Sequence, residues 1–179
     1  MGDGASGAPA LVTAPVSDDG RVDFEPYRGE LVAFCYRMLG SFHEAEDLAQ
    51  EAMLRAWKAR NRYDRTRASV RTWLYRIAIN HCLNHVKKHS QQFVEVTEFT
   101  ASVRPAVQHQ LEHEEQRQHF RRLVKRLPPK QKAILELRIN EQLSYEEIAQ
   151  ISGRSVSTIK ASVFFALEKL RKLVKDPSK

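Results

Sequence analysis

The sequence predicts an all-α protein built as two small helical domains joined by a flexible linker. Three observations carry this. From Phe24 onward, apolar residues recur at three- and four-residue steps, the spacing of one helix face. Two Ser-X-X-Glu boxes, Ser41 to Glu44 and Ser144 to Glu147, mark helix starts. Between Ser90 and Val107 the periodicity fades into SQQFVEVTEFTASVRPAV, whose β-branched residues and Pro105 suit a partly extended tether. The expected division is a disordered leader at 1–22, a first domain at 23–90, the linker at 91–108 and a second domain at 109–179.

In the first domain, Phe24, Tyr27, Leu31, Phe34, Cys35, Met38 and Leu39 line one face of a first helix, which Gly40 ends. A second helix, capped by Ser41, runs to about Asn61. Its Ala45, Leu48, Ala49, Ala52 and Ala56 form a small-residue face that allows close helix approach. After the polar loop RYDRTRAS, a third helix over about Ala68–Lys88 carries an apolar stripe of Val70, Trp73, Leu74, Ile77, Ala78, Cys82 and Val86. Three such stripes close one small core.

The second domain opens with a helix from near Leu111 to Leu127. Pro128 and Pro129 break it and start another, to Asn140, since proline is tolerated in a first helical turn. Ser144–Ser152, Gly153 and Ser155–Val174 then have the length and glycine turn of a helix-turn-helix. On its second helix, Val156, Ile159, Val163, Ala166, Leu167, Leu170 and Val174 are the expected core face. Phe164 lies to the side, partly buried, and Ala161, Phe165, Glu168 and Lys172 lie opposite.

The formal net charge of +7 favours a polyanionic partner. Two cysteines, Cys35 and Cys82, are too few for a disulfide framework and sit among apolar residues, as small buried hydrophobes. No apolar run reaches membrane-spanning length, and the N-terminal stretch lacks the positive region of a signal peptide. No phosphate-binding glycine loop, dinucleotide fingerprint or zincin motif appears, so neither catalysis nor a cofactor is expected. His81, His85 and His89, and again His109 and His113, stand four residues apart. The sequence shows no carboxylate or thiolate set completing them, so no metal is expected.

Asp47, Gln50, Glu51 and Leu54 share a face of the second helix away from the alanines, either a solvated surface or a dock for a basic partner helix. The third helix carries Arg71, Arg76, Asn80, Asn84, Lys87 and Lys88 with Trp73 and Tyr75 among them, a mixture suited to single-stranded nucleic acid.

GSFHEAEDLAQEAMLRAWKARNRYD followed by SVRTWLYRIAINHCLNHVKK resembles region 2 of bacterial extracytoplasmic-function (ECF) sigma factors. LPPKQKAILELRINEQLSYEEIAQISGRSVSTIKASV resembles their region 4. The resemblance implies a cytoplasmic bacterial subunit that directs RNA polymerase to promoters, with core RNA polymerase, promoter DNA and an anti-sigma factor as partners. It implies polymerase contacts at Asp47, Gln50, Glu51 and Leu54. It implies minus-ten contacts at Arg62, Tyr63, Arg65, Arg67, Trp73, Arg76, Asn80, Asn84 and Lys87, and minus-thirty-five contacts at Arg154, Ser155, Ser157, Thr158, Lys160, Ala161, Phe164, Phe165 and Lys172. One departure stands out. Relatives commonly carry an arginine-rich run such as VKSRLHRAR after the turn, where this chain has IKASVFFAL. Two other classes fit parts of the pattern: a stand-alone repressor or activator using the helix-turn-helix alone, and an interaction module docking a regulator on the phenylalanines.

Overall fold

The structure, a computed structural model, describes residues 22–90 and 118–175. The expected leader, the linker and the start of the second domain's first helix lie outside the described residues.

A 3-10 turn (Glu25–Tyr27) leads into α1 (Arg28–Leu39). Gly40 closes α1 in the left-handed conformation at φ 83°, which a side chain would resist. α2 (Phe42–Ala59) starts at Ser41, whose hydroxyl accepts from the Glu44 backbone N–H, and ends in a second 3-10 turn (Arg60–Arg62). α3 (Val70–Ser90) follows, with the Ser69 hydroxyl accepting from the Thr72 backbone N–H at 3.0 Å. Residues 118–125 form α4. α5 (Pro129–Ile139) has Pro129 in its first turn, and α6 (Tyr145–Ser152) carries the full reciprocal capping box between Ser144 and Glu147. Gly153, at φ 66°, makes the turn into α7 (Val156–Lys175).

In the first domain α1, α2 and α3 pack on one another, and Ala45, Ala49, Ala52 and Ala56 are all fully buried, so α2 closes on its neighbours backbone to backbone. Cys35 and Cys82 meet there with sulfurs 3.5 Å apart. The hydrogen bond from Cys82 to Cys35, together with burial, pushes the Cys82 thiol far above its usual range, so it stays protonated and inert.

In the second domain Ile159, Val163, Ala166, Leu170 and Leu173 of α7 are buried, with α5 and α6 packed against the helix. Two expected core residues differ: Leu167 and Val174 are exposed, and Leu173 takes the inner position. The steps 159, 163, 166, 170, 173 follow the 3.6-residue period. Leu167 stands about 100° around the helix from Ala166, beyond the stripe that two partner helices cover. Phe164 is likewise exposed rather than partly buried.

The buried apolar residues of both domains form one continuous cluster. The second domain docks on the first through α5 and α6 against α1 and α3, and the contact is unusually ionic. Glu141, on the turn after α5, is 7% exposed. Its carboxylate accepts from Arg37, from Arg71 at 3.2 Å and from the Tyr75 hydroxyl, while its carbonyl accepts from Arg71 at 3.0 Å. Arg37 also pairs with Glu136 at 2.9 Å, Arg71 with Glu30 at 3.0 Å, and Lys132 donates to the Met38 carbonyl at 2.9 Å. No buried side-chain polar atom among the described residues lacks a partner. Burying charges is costly, and only such complete pairing offsets it. This reassigns two residues placed on the nucleic-acid helix. Tyr75 is fully buried, edge-on to Phe34 at 5.3 Å, and Arg71 is engaged between domains.

Candidate nucleic-acid interface

The loop between α2 and α3 is built, not slack. Asp64 accepts from the Thr66 backbone at 2.9 Å and its hydroxyl at 2.7 Å, and these bonds hold the Asp64 carboxyl below its usual range. Tyr63 donates to the Ala68 carbonyl at 3.0 Å and lays its ring 5.2 Å from that of Trp73. Trp73 is half-buried, packs against the core and leans on Phe24 at 5.9 Å, so the expected apolar stripe of α3 also supplies the wall of the loop.

The result is a concavity of about 360 Å³ lined by Arg62, Tyr63, Arg67, Thr72, Trp73 and Arg76, with Gln150 of α6 at its edge. Two aromatic residues and three arginines line it, a composition suited to stacking and anion pairing. Along α3, Arg76, Asn80, Asn84 and Lys87 are exposed and follow one another at helical steps, extending the same surface away from the pocket. Arg65 is exposed on the loop itself.

On α2, Asp47, Gln50 and Leu54 are exposed and Glu51 is half-buried. The acidic face is less bare than its sequence suggests. Asp47 lies 3.6 Å from His43, and Glu51 pairs with Arg55 at 2.8 Å, a hydrogen bond that lowers the Glu51 carboxyl. Beside it runs a groove of about 460 Å³ lined by Phe24, Gln50, Met53, Leu54, Trp57 and Arg60, among others. Trp57 is 54% exposed, with the Arg60 guanidinium 4.2 Å above its ring. Sequence reasoning missed Trp57. Its position, three residues past Leu54 on the same face, is the signal that finds it.

At the start of α7, the Ser155 hydroxyl caps the Thr158 backbone N–H at 3.3 Å and meets the hydroxyls of Ser157 at 3.0 Å and Thr158 at 2.7 Å. Arg154, Ser157, Thr158, Lys160, Ala161, Phe165 and Lys172 are exposed along this helix. Lys160 sits 5.6 Å over the Tyr145 ring, and Lys172 pairs with Glu168 at 3.6 Å. Phe164 and Phe165 are each 59% exposed and meet edge to face at 5.6 Å. A helix N-terminus lined with exposed hydroxyl residues and flanking cations, presented after a tight turn, has the shape of a groove reader.

A two-domain helical chain that pairs a basic, aromatic-lined pocket with a helix-turn-helix has the parts of a nucleic-acid-binding protein. Known proteins place it within that class. The family model for Sigma-70 region 2 matches residues 24–92, and that for Sigma-70 region 4 matches residues 117–170. The ECF RNA polymerase sigma factor SigW of Bacillus subtilis is 30% identical over 84% of this chain and 86% of its own length. SigG of Mycobacterium tuberculosis is 58% identical over a stretch covering 37% of this chain and 19% of SigG, so the chain spans about a fifth of that relative. The sigma factor RpoE from Bartonella quintana, solved in complex with the anti-sigma factor NepR, superposes with a TM-score of 0.65 at 23% identity, over 85% of this chain and 94% of that one. The chain belongs to the ECF RNA polymerase sigma factors.

Proposed function

We propose that this chain binds core RNA polymerase and directs promoter-specific initiation, region 2 opening the minus-ten element and region 4 reading the minus-thirty-five element as duplex. The observation that carries the reading is the pocket of Arg62, Tyr63, Arg67, Trp73 and Arg76. A repressor that binds only duplex DNA has no use for a stacking pocket on a second domain, and a melted strand does. Asn80, Asn84 and Lys87 continue the path of that strand, with Arg65 on a phosphate. The polymerase supplies the chemistry, as for other sigma factors. Asp47, Gln50, Glu51 and Leu54 dock on the polymerase, and the neighbouring groove at Trp57 adds an apolar anchor of the kind that dominates interfaces. Region 4 holds phosphates with Arg154, Lys160, Lys172 and the α7 N-terminus, and meets bases with Ser155, Ser157, Thr158, Ala161 and Phe165. An anti-sigma factor is a further partner, and the exposed rings of Phe164 and Phe165 suit its apolar side chains.

The experiment is a binding titration against core polymerase. The wild-type chain co-elutes with core, and the double reversal of Asp47 and Glu51 to Lys weakens binding by roughly tenfold or more, as like charges replace matched ones. A wild-type chain that binds duplex DNA tightly but never core is a stand-alone regulator.

A further inference from the structure

We propose that Glu44, His85 and His89 form a binding site for a divalent transition metal of the zinc, cobalt and nickel class. His85 and His89 lie one turn apart on α3, their rings tilted by 34° with centroids 4.2 Å apart. Glu44 comes from the first turn of α2, held there by the Ser41 cap. Its Oε1 lies 3.3 Å from His85 Nε2. One ligand atom from each residue lies within 4.8 Å of the other two, and all three residues are half-buried.

Two imidazoles and a carboxylate are a borderline donor set. It favours late first-row metals over magnesium or calcium, which prefer all-oxygen shells. Two ligands on a tetrahedral zinc with bonds of about 2.0–2.1 Å stand about 3.3 Å apart, the spacing Glu44 and His85 already have. Rotation of the His89 ring brings in the third donor, and partial exposure leaves room for water to complete the shell. A plain histidine–carboxylate contact uses one histidine. It leaves the second ring, 4.2 Å from the first, without a task. The sequence alone found no carboxylate for these histidines because the donor lies 41 residues away and only the α2–α3 packing brings it in. A bound ion would tie the start of α2 to the end of α3, where region 2 gives way to the linker.

The test uses the full chain without an affinity tag, stripped with chelator and titrated with cobalt(II), then zinc. Visible d–d bands should saturate near one equivalent and vanish on zinc displacement. His85→Ala and His89→Ala should each weaken cobalt binding by roughly a hundredfold. His109→Ala and His113→Ala should leave it unchanged. Zinc well above its Kd should raise Tm by roughly 5 °C or more in wild type and not in the His85→Ala, His89→Ala pair. That pair, checked for a native circular-dichroism spectrum, keeps loss of fold apart from loss of ligand. Absence of cobalt bands in wild type, or bands that survive in the double variant, would overturn the site and leave a histidine–carboxylate contact only.

Discussion

Arg76 and Asn80 stand one turn apart on the same exposed stripe of α3, and their chemistry divides their work. In the proposed reading the Arg76 guanidinium, beside the pocket, pairs with phosphates, whereas the Asn80 amide offers a donor and an acceptor to a base edge. Arg76→Ala should therefore weaken binding to a pre-melted minus-ten promoter for every sequence alike. Asn80→Ala should change the preferred base at one position, read by permanganate footprinting across a set of single-base variants. An even loss across all bases in Asn80→Ala would remove its reading role. At this scale the sequence was legible where a residue's task is local. The Ser41 and Ser144 caps and the left-handed Gly40 and Gly153 turns follow from neighbours a few positions away. Tyr75 was not legible. Its partner Glu141 is 66 residues distant in another domain, so the ring looked like one more aromatic among basic residues.

At the scale of the element, α7 was read correctly as a helix but its edges were drawn too wide. Leu167, Val174 and Phe164 are hydrophobic yet exposed, because a stripe packed against two short helices is narrower than the apolar content of the helix. Phe165, on the opposite face, stands where the family resemblance implies a polar or basic residue, and its ring has no hydrogen-bonding atom with which to read a base. What it can meet in a major groove is a thymine methyl. Replacing minus-thirty-five thymines with uracil, which removes only the methyl, should lower region 4 affinity, and Phe165→Ala should abolish the difference between the two DNAs. Phe165→Arg should raise non-specific affinity and steepen its salt dependence. If uracil changes nothing and Phe165→Ala instead blocks binding of an anti-sigma protein, the ring belongs to that interface. The acidic face of α2 shows the same limit of sequence reading. Four residues on one face were legible, but the neighbouring His43, the Arg55 that pairs with Glu51 and the adjoining Trp57 groove emerged only with the helix in place.

For the whole molecule, the sequence showed two helical units on a tether and gave no sign that they close on each other. The closure rests on Glu141 between Arg37, Arg71 and Tyr75, pairs that span the two domains and carry no local pattern. It also sets Gln150 of region 4 at the rim of the region 2 pocket. Promoter elements about 25 base pairs apart lie roughly 85 Å apart along duplex DNA at 3.4 Å per pair, so two domains in contact cannot read both. Reading both elements, as proposed, therefore requires the two domains to separate. Removing the buried carboxylate should favour separation. Glu141→Ala leaves Arg37 on Glu136 and Arg71 on Glu30 but takes the acceptor from the buried Tyr75 hydroxyl, and weakens the docking by about 1–3 kcal/mol. Small-angle scattering should then show a larger radius of gyration for the variant, with helical content retained; an unchanged radius would mean the apolar contacts alone hold the domains together.

The measurement that bears most directly on the account is transcription by core polymerase, with and without the chain, on a library of bacterial genomic fragments, mapping RNA 5′ ends. New start sites should appear only with the chain and share two upstream blocks, one at the minus-ten and one at the minus-thirty-five position. Those starts should be lost in the Asp47, Glu51 double reversal. Start sites identical with and without the chain, despite tight binding of the chain alone to duplex DNA, would contradict the proposed function.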